Sequence, residues 1–309
     1  MSDARMIAGD TPLPLPLHEA IKGRFIGALD SSMRQAIVHA GAISPAERAE
    51  ALRLVRRGTK IGRALLPFLV NAAPPESLAG ASRALRDAAG LLSAIRDRDA
   101  MLATIDRLFG SRSGARTQHA RAMLAIVVVP AGVECKAREL EDLLVMRASA
   151  MLARLAASAQ RFQFERVTVR DIAKPIASEL KRLRREQRSG WFEGPIERAH
   201  SIRKGCSRMV LQLTAIEEHL PRSARRLRKA LREVNSRLGD EHDLAMLAER
   251  ISLDRSRFPS EEFVNTALDL CRRAQRRLRE RATGALEEAA VIRPRDLRRK
   301  LHEALVDLA

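Results

Sequence analysis

The sequence lacks tyrosine altogether, has a single tryptophan, and is only 3% aromatic. Strands favour aromatic and β-branched residues, and the bases of single-stranded nucleic acids stack on aromatic rings. Their scarcity disfavours an extensive sheet and removes the usual stacking platform of a nucleic-acid interface. The chain is rich instead in alanine, leucine and arginine, which are good helix formers. We therefore predict an all-α protein.

Cysteines and long apolar runs are scarce as well. Cys135, Cys206 and Cys271 are odd in number, far apart, and form no C-x-x-C pair, so neither a disulfide framework nor a zinc site is indicated. The most apolar run, residues 122–133, contains a proline and a glycine and is shorter than the ~18 apolar residues of a membrane span. We interpret it as a buried helix or helix end, and we expect a bacterial, cytoplasmic protein that does not enter a membrane.

Sequence signatures of catalysis are missing too. There is no G-x-x-x-x-G-K-[ST] phosphate loop, no G-x-S-x-G nucleophile and no pair of catalytic carboxylates. His200 has no second histidine or carboxylate cluster at metal-ligand spacing on its helix. We therefore favour a role for His200 as a hydrogen-bond donor to phosphate over a role as a metal ligand. We predict that the protein is not an enzyme and needs neither a metal nor a cofactor.

Positive charge is what the chain has in excess. It carries 56 lysines and arginines against 38 acidic residues, which gives a net charge of +18 and an isoelectric point near 11.2. So large an excess repels itself in a compact fold, and an anionic partner is the natural reason to keep it. Nucleic acid, a membrane surface and a phosphate polymer are the candidate partners.

Apolar residues recur at helical spacing over most of the chain, which predicts roughly eight to ten helices. The clearest breaks lie near Asn71, Phe109, Ser189, His219 and Arg257. Because these connections are short, successive helices should pack side by side as antiparallel bundles.

The chain also contains an internal repeat. The basic segment 53–63 and the later segment 85–102 are matched, about 147 residues further on, by the segments 200–208 and 231–247. Duplication is the economical explanation. We predict two four-helix-bundle-like repeats related by pseudo-twofold symmetry, with a basic central groove between them.

The repeats set the expected domain organisation. One domain should span residues 15–308, with repeats at about 15–160 and 161–308 and a flexible N-terminal segment at 1–14. Within each repeat, Arg96-Asp97 and His242-Asp243 are interpreted as helix-junction pairs in which the aspartate caps a new helix.

Basic residues in the repeats are spaced to share one helix face, because positions i, i+3, i+4 and i+7 lie above one another. We call these faces the first and second stripes, and predict that they bind the anion. The first stripe is Arg53, Arg56, Arg57, Lys60 and Arg63, and the second is His200, Arg203, Lys204 and Arg208. A secondary basic wall is predicted at Arg83, Arg86, Arg228, Lys229 and Arg232.

The second half carries a family resemblance. The pattern H-x-x-R-K-x-x-(K/S)-R from His200 to Arg208, followed by L-G-x-x-H-D-L-A-x-L from Leu238, resembles the CHAD domain, the conserved-histidine α-helical domain. The first half is similar to that family's R-x-x-(K/R)-x-x-R-R region. It departs from the family at Arg53, where a histidine is expected, and Ser207 replaces a usual lysine in the second half. With no E-x-E-x-K segment of a CYTH triphosphatase domain, the chain resembles a stand-alone member.

The resemblance implies a function. It implies binding of inorganic polyphosphate and association with polyphosphate granules in the cytoplasm, with phosphate or sulfate ions expected at the site in crystals. Two alternatives stay open: nucleic-acid binding, which the charge suits, and a role as an adaptor or accessory subunit of a phosphate-metabolising enzyme.

Overall fold

The structure is a computed structural model that describes residues 11–109, 114–128, 134–192, 194 and 196–306. Within these ranges, residues 94, 96–99, 115–117, 126–128, 134–137 and 196 are described by their backbone alone. The described chain is helical almost throughout, and its β-type pairing is a single bridge between Pro12 and Thr168. The all-α prediction is confirmed.

Eleven α-helices are seen in the described ranges. They are α1 (Leu15–Gly41), α2 (Pro45–Leu65), α3 (Pro75–Leu91), α4 (Ser93–Phe109), α5 (Ala115–Val128), α6 (Glu134–Ala159), α7 (Val169–Arg188), α8 (Ile196–Ala215), α9 (Arg222–Leu253), α10 (Glu261–Ala290) and α11 (Pro294–Val306). All five predicted breaks fall between helices.

Side-chain caps explain why several helices begin where they do. Ser44 and Glu47 form a capping box at the start of α2, and Thr168 and Asp171 form one at the start of α7. Ser260 accepts a hydrogen bond from a backbone amide in the first turn of α10. Each cap satisfies backbone N–H groups that have no partner inside the helix, and typically contributes about 1 kcal/mol.

The core is not divided at the predicted boundary between the repeats. One buried cluster draws on α1, α2, α3 and α6 together with α7, α8, α11 and parts of α9 and α10. A second cluster joins α4 and α5 to the second half of α9 and the first half of α10. Helices of the two predicted repeats therefore share both cores, and the pseudo-twofold relation stays a prediction.

Two matched glycines let the basic helices approach their neighbours closely. A Cβ atom at Gly58 would lie 2.6 Å from the carbonyl oxygen of Ala28 on α1, and one at Gly205 would lie 2.9 Å from Leu183 on α7. Both positions fall at the same place in the predicted repeat. A Cβ at Gly58 would clash with backbone, whereas one at Gly205 would require side chains of α7 to move. The glycines therefore allow α2 to pack tightly on α1, and α8 on α7.

The helix-junction interpretation of the two aspartate pairs is wrong. Asp243 lies in the middle of the continuous helix α9, and residues 96–97 lie inside α4. Neither aspartate is therefore at a helix N-terminus, where capping takes place. Arg107 of α4 instead donates hydrogen bonds to Asp240 and Asp243, which ties α4 to α9.

The end of the segment predicted as flexible is held in place. Leu13 is buried, its amide donates to the carbonyl of Val167 at 3.4 Å, and the amide of Val169 donates to the carbonyl of Thr11 at 3.1 Å. Residues 11–14 are therefore packed against the start of α7 through backbone hydrogen bonds and apolar burial. Residues 1–10 lie outside the described residues, and the flexibility of the segment stays a prediction.

None of the helices described here is long and apolar enough to cross a membrane. Residues 122–128 of the apolar run form the end of α5, where Leu124 is buried. Residues 129–133 lie outside the described residues.

A buried histidine joins α1, α2 and α6. His39 Nδ1 lies 3.0 Å from Asp142 Oδ1, and Arg48 bonds both Asp142 and the backbone carbonyl of His39. Burial lowers the pKa of His39 below its ordinary 6.5 and Arg48 lowers it further, against the opposing effects of Asp142 and Glu141. The folded protein therefore keeps His39 neutral at pH values where the unfolded chain binds a proton.

We expect the titration of His39 to leave the free energy of unfolding unchanged above about pH 6.5 and to lower it as the pH decreases further. The reason is that the unfolded chain then binds more protons than the folded protein. Over each pH unit in which the unfolded chain holds one proton more than the folded protein, the free energy of unfolding decreases by about 1.4 kcal/mol. Urea unfolding between about pH 7.5 and 5.5 measures the decline. In a His39→Asn variant, which keeps a donor near the Nδ1 position, the decline should be shallower, and an equal decline would contradict this role.

Candidate anion-binding site

The first stripe lies on the solvent face of α2. Ala51, Val55 and Gly58 are buried on the opposite face, which packs on α1. Arg53, Arg57, Lys60 and Arg63 are exposed, and Arg56 is half-buried. Successive residues turn by about 100°, so these five cations point away from the core and share one face, as predicted.

The second stripe occupies the matching face of α8. Ile202, Cys206 and Met209 point into the core. Lys204 and Arg208 are exposed, while His200 and Arg203 are half-buried.

The two basic helices contact each other near their C-terminal ends. Gln212 of α8, which is buried, donates a hydrogen bond of 2.9 Å to the carbonyl oxygen of Ala64 on α2. Partial burial lowers the pKa of Lys204, and the positive charges of Arg203, Arg63 and Arg208 lower it further. Arg63 of the first stripe is therefore close enough to the second stripe to repel its lysine. The structure brings the stripes together at this end.

Helix α9 brings His242, which the sequence analysis had assigned to a structural role, against the second stripe. The rings of His200 and His242 lie 4.9 Å apart, and Arg203 Nη2 lies 3.2 Å from His200 Nδ1. His242 shares one face of α9 with Arg228 and Arg232 by helical spacing. Its contact with His200 depends on how α8 packs on α9, and a motif in one helix carries no signal of it.

Two stripe cations have acidic partners that the sequence analysis missed. Arg53 pairs with Glu50 at 2.5 Å, which lowers the pKa of Glu50 through their hydrogen bond. Arg208 pairs at 2.9 Å with Glu179 of α7, which also holds Arg182 at 2.6 Å. Glu50 lies one helical turn before Arg53, just outside the first stripe. The i,i+3 spacing of Glu50 was a signal for that pair.

The residues predicted to form the secondary wall lie on α9 and α3. Arg228 is mostly buried and pairs with Glu217, while Arg232 is exposed on the same face of α9. Lys229 on α9, and Arg83 and Arg86 on α3, are exposed.

The described thiols are not reactive groups. Burial raises the pKa of Cys271 to about 11 and raises that of Cys206 further, so both stay protonated at neutral pH. Cys135 is described by its backbone alone. Across the described side chains, histidine, cysteine, aspartate and glutamate nowhere gather in a group of three that could hold a metal ion.

These features define an all-α protein in which two basic helices contact each other beside a histidine-bearing third helix. The family model of the CHAD domain matches residues 27–252 and 176–308, so the chain belongs to the CHAD-domain family. This confirms the resemblance seen in the motifs.

A solved structure shows the same fold. The crystal structure of the CHAD domain from the plant Ricinus communis is similar to this chain with a TM-score of 0.65 and 19% sequence identity. The match covers 94% of this chain and 96% of that one. The comparison with curated proteins gave no match.

Proposed function

We propose that the protein binds inorganic polyphosphate along the basic faces of α2 and α8. The observation that carries this proposal is the proximity of Arg63 to Lys204, because the repulsion between like charges held close together is relieved by a bound polyanion. Membership in the CHAD-domain family supports the same ligand.

The chemistry of the two partners matches. Polyphosphate is a linear chain with about one negative charge per unit, and arginine binds phosphate oxygens in a bidentate fork while lysine supplies a mobile point charge. Arg56, Arg57 and Lys60 along α2 and Lys204 on α8 offer both kinds of donor. Such binding would hold the protein at polyphosphate granules in the cytoplasm.

Nucleic-acid binding is the second candidate, favoured by the net charge of +18. Proteins that bind single strands stack bases on exposed aromatic rings. Within the part of the chain that the structure describes, no phenylalanine or tryptophan is exposed. The duplex backbone is therefore the form of nucleic acid that competes most seriously with polyphosphate.

We also propose that the protein binds the polymer without hydrolysing it. Incubated with polyphosphate, ATP or tripolyphosphate and a divalent metal, it should release no orthophosphate above background. Turnover that is lost on changing His200 or His242 would overturn this proposal.

A role as an adaptor for a phosphate-metabolising enzyme is tested by pull-downs performed before and after polyphosphate is removed.

Titration with polyphosphate at several salt concentrations tests the binding mode. If phosphate neutralisation drives binding, log affinity should fall linearly with log salt, with a slope of about −0.7 per contacted charge. A slope near zero, or no measurable binding at low salt, would contradict the proposed function.

A further inference from the structure

A glutamate sits among arginines just beyond the second stripe. Glu217 follows α8 in a short 3-10 turn, and its carboxylate accepts a hydrogen bond from Arg228 Nη2 of α9. That bond lowers the pKa of Glu217, and the charges of Arg232 and Arg24 lower it as well. Three arginines from α1 and α9 therefore act on one carboxylate, which stays charged at neutral pH.

Arg228 has more hydrogen-bonding capacity than Glu217 uses. Its side chain is only 11% exposed, and Nη1 is buried without a hydrogen-bond partner among the described residues. A buried donor without a partner is costly. A phosphate group offers three strong acceptor oxygens where a carboxylate offers two, and suits a guanidinium with one donor left over.

This cluster belongs to the same surface as the second stripe. Glu217 beyond the end of α8 meets Arg228 near the start of α9, while His200 near the start of α8 meets His242 further along α9. The two helices therefore run antiparallel. Arg228, Arg232 and His242 lie on one face of α9, so an anion lying along α8 from His200 ends at Glu217.

We propose that Arg24, Arg228 and Arg232 form a terminal phosphate subsite, and that the carboxylate of Glu217 is its internal occupant. The identity of the ligand rests on the proposed function, but the subsite itself does not. Glu217 competes with the incoming phosphate group for Arg228, and so weakens the binding that the arginines alone would give.

Replacing Glu217 by glutamine tests this competition, and the neighbouring exposed Glu218 provides a control with the same change in charge. We expect Glu217→Gln to raise the affinity for polyphosphate roughly three- to tenfold, and Glu218→Gln by less than about twofold. Equal affinities of the two variants would overturn the proposal. Thermal melts establish that both variants are folded.

A second pair of measurements separates the subsite from the polymer. Adding Arg232→Gln, an exposed change, to Glu217→Gln should remove most of the gain in affinity. When the same variants are titrated with inorganic pyrophosphate, their affinities should rank in the same order as their affinities for polyphosphate. If pyrophosphate follows this order but polyphosphate does not bind, the subsite stands and the proposed function fails. If neither anion binds Glu217→Gln more tightly than Glu218→Gln, the subsite is refuted whatever the polymer does.

Discussion

Changing Arg56, Arg57 and Lys60 of α2 together to glutamate is expected to lower the affinity for polyphosphate by on the order of 100-fold or more. Each change removes a charge-assisted hydrogen bond and adds a repulsive carboxylate. The salt slope should also become shallower by about 2, because three contacts at about 0.7 each are lost. Since all three side chains lie on the solvent face of α2, the fold should survive, which circular dichroism would verify.

A matched control lies on α10. Arg273, Arg276 and Arg277 are all exposed, and reversing them changes the net charge by the same amount. This control should lose far less affinity and keep most of its salt slope. Equal losses in both variants would mean a diffuse electrostatic attraction and would remove the basis for the site.

On α8 the corresponding change is Lys204→Glu alone. Reversing Arg208 would place a second carboxylate beside Glu179, which is buried, and the loss of affinity would then be mixed with a loss of stability. Because Lys204 is exposed and lies close to Arg63, its reversal should reproduce part of the loss seen with the first stripe.

Replacing Glu241 by glutamine is expected to give the largest loss of stability, about 3–5 kcal/mol, because it leaves a mostly buried arginine without its counter-ion. Glu241 is 1% exposed, and Arg279 of α10 donates to it through Nε at 2.9 Å and approaches through Nη2 at 2.8 Å. Arg279 also bonds the carbonyl of Phe192, which precedes α8. The pair therefore joins α9 and α10 to the segment that leads into the second stripe.

Urea unfolding of Glu241→Gln against Glu280→Gln measures this contribution. Glu280 pairs with Arg276 at 3.4 Å, but both side chains are more than half exposed, so that change should cost less than about 0.5 kcal/mol. Similar losses in the free energy of unfolding for the two variants would show that burial does not determine how much the Glu241–Arg279 pair stabilises the protein.

The helices were predictable because their signals are local. Apolar spacing, prolines and capping residues such as Ser44 lie within a few residues of the structure they determine. Where the two predicted repeats differ in helix structure, a local difference in sequence accompanies the difference. Ser93, the first residue of α4, donates to the carbonyl of Gly90 in α3 at 2.8 Å, a local bond that competes with helix continuation. The matching Gly239, expected near a junction, instead lies inside α9.

The candidate site likewise has features that the sequence predicts and features that only the structure shows. The stripes on α2 and α8 follow from spacing within one helix, so their residues could be named from the sequence. Glu179, which pairs with Arg208 of the second stripe, lies on α7, and His242, which contacts His200, lies on α9. Glu217, which pairs with Arg228 of the secondary wall, lies in the turn between α8 and α9. Such pairs depend on how helices are arranged in space, and single-sequence patterns do not carry that information.

Competition between polyphosphate and duplex DNA at about 0.15 M salt is the most direct test of polyphosphate as the ligand. Labelled duplex is bound first, and polyphosphate of defined length is then added at known concentrations of phosphate units. We expect polyphosphate to displace the duplex at a phosphate concentration well below that of the DNA, and the α2 triple variant to lose this preference. Displacement only at equal or higher phosphate concentration would contradict the account, because binding would then follow charge and not the polymer.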